Sequence, residues 1–400
     1  MSTPVTDLPF IPLPRTSGCP LAPPAEFAEW RKSDGLQLAS WHGRPTWVIS
    51  RYEDIRAALV DPRLSADTIP DAMKATSVDN KMPQIFPRID DPEHNRLRRM
   101  MTRDFTFRRA DAMRPQIQEL VDGFLDDMVA SGPPADLVRD FALPVPSLVI
   151  CLLLGVPYED HEFFQRKSTL GLDSRSTVEE KAVAIGEIFG YVYELVARKE
   201  REPGDDMISR LVTDHVATGA LSRETATMNA VIMLQAGHET TASMISLGTL
   251  ALLQHPAQLA RLRETDDPAL VANIVEELMR YLTIVHSLVE RVAIEDLIIA
   301  GQQIRAGDFV LMNLPAGNWD ASFVEHPEAF DIDRNPRGHL GFGFGVHQCI
   351  GQNLARAELQ IALSTLVRRL PGLELAVAEE DLRFQNQQEI YGVEALPVTW

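Results

Sequence analysis

FGFGVHQCIG, residues 342–351, sets Cys349 beside three glycines, with a fourth, Gly341, just ahead of the stretch and His347 two positions before the thiol. The chain has only three cysteines, so a thiol in so open a backbone asks for a reason. Three present themselves: a small buried hydrophobe, a nucleophile or a metal ligand. Gly343, Gly345 and Gly351 permit close backbone approach and unusual φ. Behind the cysteine, apolar residues fall at 350, 354, 357 and 361 and again at 359, 363, 366 and 370. Two stripes predict a helix buried on most sides, beginning at or just after Cys349. The unpaired N–H groups and positive end of such a helix favour a thiolate, which suits a ligand or a nucleophile. A phosphate loop fits poorly, since the GK[ST] ending is missing. A cysteine hydrolase needs a distant histidine with Asn or Asp, and ten histidines leave that open.

Composition narrows the field. The chain has 400 residues, 45% of them hydrophobic and 24% charged, with a net charge of −19. That charge argues against a nucleic-acid or anionic-membrane partner. Cys19, Cys151 and Cys349 are odd in number and far apart, which implies no disulfide framework and a reducing, cytoplasmic setting. The opening MSTPVTDLPFIPLPRTSGCPLAPP has neither a basic nor an apolar leader region, so no signal peptide and no membrane anchor are expected. Residues 240–260 carry no formal charge and reach the length of a membrane span. Hydroxyls fill the first half and Gln254, His255 and Pro256 break the second, so a buried helix is predicted there.

LQLASW and TWVIS flank HGRP as a hairpin, and RYEDIRAALVDP follows with helical spacing. From about 92 to 260 the pattern is helical, with short breaks at 132–134, 155–157 and 202–204. A smaller strand region covers 296–318. No repeat or linker interrupts this order. The fold class expected is mainly α: one large helical domain over 1–400 with small β-sheet regions, and a Pro-rich segment, 1–34, packed on it.

Phe342, Gly345, Cys349 and Gly351 together spell F-x-x-G-x-x-x-C-x-G, which resembles the haem-ligand loop of the cytochrome P450 monooxygenases. The resemblance implies haem b as cofactor, lying between a long acid–alcohol helix and the cysteine loop, with Cys349 as its axial thiolate. Such a ligand pushes electron density toward iron-bound oxygen and favours O–O cleavage. It also implies that Phe342 packs on the ligand side of the macrocycle and that Gly345 and Gly351 leave room for porphyrin and chain. His347 matches a propionate partner; its plainer reading is an exposed loop histidine.

Other anchors follow in the family's order. AGHETT, 236–241, interrupts an apolar helix, where an acid and an alcohol are costly unless paired. By resemblance, Glu239 relays protons through water and Thr240 hydrogen-bonds bound dioxygen. Gly237 lets the helix open into a groove for oxygen, helped by a bond from Thr240 to the carbonyl of Ala236. Glu277 and Arg280 share a helix face at i,i+3 and match the structural ion pair. The usual third arginine is replaced by Ala329 in PEAF, leaving Arg334 or His339 as candidates. His94 and Arg98, at i,i+4 on a helix that Pro92 helps to start, and Arg291 match the remaining propionate ligands. A surface salt-bridge face is the alternative for the 90–101 helix.

The implied reaction inserts one oxygen atom from O2 into a lipophilic small molecule: macrolide, terpenoid, sterol-like or xenobiotic. Electrons come from NAD(P)H through a reductase and a ferredoxin, as in the soluble bacterial, actinobacterial-type members. A haem-thiolate enzyme using peroxide or coupling phenols is the near rival, and a haem sensor or a thiol hydrolase the distant ones. By family position the substrate pocket draws on 72–88, 165–185, Leu234, Val285 and Ile390. Arg96, Arg99 and Arg103, spaced i, i+3 and i+7, are expected to form an outward stripe on the thiolate side that docks the ferredoxin.

Overall fold

The computed structural model describes residues 7–15, 18–68, 83–172 and 176–400. Strands Gln37–Trp41 and Arg44–Ile49 pair antiparallel as predicted. His42 and Gly43 turn the chain with φ of 47° and 72°, the left-handed pair that a two-residue hairpin needs. Strand Phe309–Met312, from the predicted second β region, adds parallel to Arg44–Ile49, followed outward by Glu290–Ala293 and Leu64–Ser65. On the opposite edge Phe10–Ile11 pairs with Gln37–Trp41, with Ile11 buried. One six-stranded sheet thus joins the N-terminal strands to the 290–312 region.

The helical part is centred on Arg223–Gln254, here called the central helix. Ser222 caps it by accepting from the Thr225 N–H. It is apolar nearly all round, as a helix enclosed by others must be. Helices Pro144–Leu154, Val178–Arg201 and Gln352–Arg369 pack against it. Two of its buried hydroxyls are satisfied within the helix: Ser246 donates to the Ala242 carbonyl at 3.0 Å and Thr249 to that of Ile245 at 2.8 Å. Residues 241–252 are therefore core, the helix ends at Gln254, and among the described residues no helix is long and apolar enough to cross a membrane.

Two expectations need adjustment. The helix behind the cysteine starts at Gln352 with Gly351 as its N-cap, three residues later than the apolar pattern suggested. Ile350 and Gly351 form a turn instead, which frees the N–H groups of Gly351 and Gln352 to face the sulfur. The basic run also breaks. Its helix, Glu93–Thr102, stops before Arg103, which sits in a separate turn.

The Glu277–Arg280 pair is fully buried, with Arg280 Nε 2.8 Å from Glu277 Oε2. Arg280 also donates to the carbonyls of Pro327 (2.8 Å) and Ala329 (3.0 Å). Between the two candidates for third partner, the structure selects Arg334, whose Nε lies 3.3 Å from Glu277 Oε1. Ala329 thus contributes its backbone where the expected arginine side chain is missing.

Candidate active site

A cavity of about 290 Å³ lies between the central helix and the cysteine loop. Ala236, Gly237, Thr240, Thr241 and Met244 form one wall; Phe342, Gly343, His347, Cys349 and Gly351 form the other. The remaining lining is mostly apolar, with Val285, Val289 and Leu314 on the side of the sheet.

The loop is held from behind. Cys349 N–H donates to the Phe342 carbonyl at 2.9 Å, closing the loop on itself. The Arg356 guanidinium lies 4.4 Å over the Phe342 ring. Cys349 opens onto the cavity but is set deep: burial pushes its thiol up, while the N–H groups of Gly351 and Gln352 and the charges of Arg98 and Arg356 pull it down. The net direction is upward. The helix start alone does not make a free thiolate here. Gly351 leaves space, since a Cβ there would lie 3.9 Å from the sulfur. Gly345 does not line the cavity. With φ at +77° it turns the chain away, and a Cβ would press on Val60 and the Leu59 carbonyl at 3.0 and 3.2 Å. Its lack of a side chain serves the contact with helix Tyr52–Val60.

At one end of the cavity four basic side chains converge, with Asp91 Oδ1 3.4 Å from His94 Nδ1. The rings of His94 and His347 are 4.0 Å apart. His94 Nε2 and His347 Nδ1 are both buried and lack hydrogen-bond partners. Arg98 donates to the Gln348 carbonyl at 2.6 Å and Arg291 to that of Glu290 at 2.7 Å. Desolvation, then Arg291, His94 and Arg98, hold His347 down to about 3. Burial and the neighbouring Arg88 lower Arg291 to about 10. The two guanidinium groups and the partnerless ring nitrogens of the two histidines suit an anion with two carboxylates.

On the opposite wall Thr240 faces the cavity and donates to the Ala236 carbonyl at 2.7 Å. The helix nevertheless stays regular through 236–241. Gly237 opens no groove: a Cβ there would strike Ile150 at 2.8 Å, so the glycine admits helix Pro144–Leu154. Glu239 is turned about 100° from Thr240 and is not part of the lining. It is 6% exposed, its Oε2 has no partner, and burial raises its carboxyl to about 7.

Two carboxylates escaped the sequence reading. Glu358, on helix Gln352–Arg369, lines the cavity with its Oε2 unpartnered, and burial pushes it well above the carboxylate range. Its signal was an acid between the inward residues Leu354 and Ile361. Glu276 accepts from Arg356 Nε at 2.6 Å and from His339 Nε2 at 3.0 Å, which explains why His339 is not the third partner of Glu277. Burial alone would raise Glu276, but the hydrogen bonds of His339 and Arg356 outweigh it and hold the carboxyl at about 2. The linkage sign is clear. A lowered folded pKa stabilises above the unfolded value of 4.5, and that stability is lost as pH falls toward 2. Glu276→Gln is expected to cost about 3 kcal/mol at neutral pH, and to flatten the fall of urea midpoint between pH 5 and 3 relative to wild type. Equal midpoints across that range would contradict the assignment.

Of the substrate-pocket residues, Val285 lines the cavity. Leu234 does not. It shares the face of His238, one turn on, and lines a small separate cavity with Cys151, His161 and Phe164. Ile390 is buried behind Val285, its bridge partner. Within the proposed pocket ranges, 72–82 and 173–175 lie outside the described residues. The arginine stripe is also revised. Arg96 is ion-paired with Glu93 and donates to the Ala220 carbonyl at 2.9 Å, whereas Arg99, Arg103 and Arg108 are exposed.

Known proteins agree with this architecture. A profile of the family described as Cytochrome P450 matches residues 176–374. Cytochrome P450-SU2 of Streptomyces griseolus is 48% identical over 396 residues, covering 98% of this chain and 96% of the relative. Vitamin D3 dihydroxylase of the same species is 45% identical over 401 residues, covering 99% and 98%. Among solved structures, the mycinamicin VIII C21 methyl hydroxylase of Micromonospora griseorubida, bound to mycinamicin VIII, superposes with a TM-score of 0.90 at 40% identity, covering 98% of this chain and 100% of that one. By sequence and by fold, this chain belongs to the cytochrome P450 family of monooxygenases.

Proposed function

We propose that the protein hydroxylates a lipophilic small molecule of macrolide, terpenoid, sterol-like or xenobiotic type, using dioxygen and electrons from NAD(P)H through a reductase and a ferredoxin. The observation that carries this is the cavity itself: a cysteine on one wall, a threonine on the other, apolar lining between them, and two arginines with two partnerless histidine nitrogens at one end. The donor set fits haem b. Cys349 would hold the iron through its sulfur, with Phe342 and Gly351 beside it. His94, Arg98, Arg291 and His347 would take the propionates, giving the two partnerless histidine nitrogens an acceptor. Bound haem supplies activation of dioxygen and delivery of one oxygen atom to substrate, the other leaving as water.

The chain's own residues direct that chemistry. Apolar walls exclude water and orient a lipophilic substrate. Thr240 holds a hydroxyl at the cavity face, anchored on Ala236. Glu239 stores a proton on its buried carboxyl, which a water can carry to Thr240. Exposed Arg99, Arg103 and Arg108 flank the turn whose Phe105 packs on Gly351, and favour an acidic electron donor on that side in a chain that is otherwise strongly negative. The three free cysteines support a reducing, cytoplasmic setting.

Incubation with isotope-labelled dioxygen, NADPH, reductase and ferredoxin tests this, with vitamin D3 and mycinamicin VIII as first substrates. One labelled atom is expected in the product. Thr240→Ala should keep consuming NADPH but release hydrogen peroxide, with product per NADPH falling about tenfold or more. Unchanged coupling in that variant would remove Thr240 from the assigned role, and unlabelled product would remove dioxygen as the oxygen source.

A further inference from the structure

Arg15 belongs to the Pro-rich N-terminal segment, yet it is only 5% exposed. Burying a guanidinium is expensive unless its donors are used. Here four acceptors take them, and among the described residues none is a carboxylate. Arg15 Nε donates to His286 Nε2 at 3.1 Å, and Nη1 to the Leu21 carbonyl at 2.8 Å. Nη2 reaches the carbonyls of Leu282 (2.9 Å) and Thr283 (3.3 Å). The planar group also lies 4.0 Å over the Tyr391 ring.

These partners bracket a short piece of cavity wall. Helix Pro268–Leu282 ends at Leu282, and Thr283 turns the chain with φ of +30°. The next two residues, Ile284 and Val285, line the cavity. His286 follows, bonded through its own N–H to the Glu389 carbonyl and stacked 5.0 Å from Tyr391. Tyr391 N–H in turn donates to the Ile284 carbonyl at 2.7 Å. One side chain from the N-terminal segment therefore grips the residues on both sides of Ile284 and Val285. Because Nε–H is the donor to His286, that imidazole must accept at Nε2 and carry its proton on Nδ1. Burial and Arg15 keep it neutral.

We propose that Arg15 is a positioning residue that fixes the Ile284–Val285 wall and thereby sets the size and shape selectivity of the cavity. The proposal rests on the reading that haem and substrate share this cavity. Lysine in its place keeps the charge but has no planar fork to reach four separate acceptors, so Arg15→Lys is the informative variant, with Arg15→Gln beside it.

Two measurements on the full-length holoprotein test it. Hydrogen exchange at the His286 and Tyr391 amides is expected to accelerate about tenfold in Arg15→Lys, while amides of the central helix stay as in wild type. Spectral titration with two haem-binding probes adds a size test. Phenylimidazole, which extends toward the wall, should change its Kd by about fivefold or more, and imidazole by less than about twofold. The phenylimidazole effect should vanish in a Val285→Ala background, a coupling that general loosening of the fold would not produce. Unaltered exchange at both amides, or equal effects on both probes, overturns the proposal. If Arg15→Gln fails to fold, the lysine variant carries the test. Failure of the haem reading would show separately, as the absence of any haem spectrum in wild type, and leaves the exchange measurement valid.

Discussion

Cys349→Ser protein, reduced and exposed to carbon monoxide, is expected to lack the strongly red-shifted haem band of thiolate ligation, and to lose monooxygenase turnover with it. Cys349→His should retain haem through a nitrogen ligand and show that ligand's band instead. The expectation rests on how little else could substitute. Cys151 lines a separate small cavity beyond the central helix, where burial pushes its thiol up to about 12. Cys19 lies in the N-terminal segment, near enough to Tyr281 to act on its charge. Neither lines the main cavity. Burial also disfavours the free thiolate of Cys349, so a bound cation is the natural means of ionising it. A hydrolase would need the thiolate ready without one. The loop is rigid enough to make the result sharp: it is pinned by the Cys349–Phe342 backbone bond and by the Arg356 guanidinium on the Phe342 ring. Persistence of the thiolate band in either variant would mean that the ligand is a different residue, and the reading of this cavity would fall.

Sequence exposed those features whose physics is local. A glycine-flanked cysteine ahead of a two-striped helix is visible because spacing alone reports the loop and the helix. The hairpin was equally plain, as two β-rich runs around HGRP. The acid–alcohol pair stood out because polar residues inside an apolar run need a reason. What stayed hidden depended on the direction a side chain takes in three dimensions. Gly237 and Gly345 read as space for a ligand, but their missing Cβ atoms admit Ile150 and the end of helix Tyr52–Val60. Arg96 read as an outward charge, but Glu93 three residues earlier neutralises it. Leu234 read as pocket, yet it lies one position past Met233, which lines the cavity, and so falls behind the wall. The choice of Arg334 over His339 required knowing that Glu276, adjacent to Glu277, already holds the histidine. Neighbouring acids on one helix point to different partners, and no spacing rule says which partner each will find.

The Glu239 carboxyl makes the second large prediction, because two independent measurements bear on it. Burial raises it from 4.5 to about 7, and its Oε2 has no partner. At pH 6 it is mostly protonated, and at pH 8 mostly ionised. If it supplies protons through water to Thr240, wild-type turnover should decline as pH rises through about 7. Glu239→Gln cannot release a proton, so turnover should fall about 100-fold and the break near pH 7 should disappear. Stability moves the other way. A raised folded pKa means that the unfolded chain ionises first, so stability is fully present below pH 4.5 and drains away as pH rises to about 7. Glutamine removes that drain. At pH 8 the variant should be more stable than wild type by about 3 kcal/mol, read as a higher urea midpoint, with the advantage shrinking toward pH 5. Slower turnover together with greater stability at high pH is the signature of a group held in an unfavourable place for its proton. A merely structural glutamate would give loss in both. A variant whose pH–rate profile kept its break near 7 would show that the titrating group lies elsewhere, with Glu358, the other buried carboxyl beside the cavity, next to be replaced.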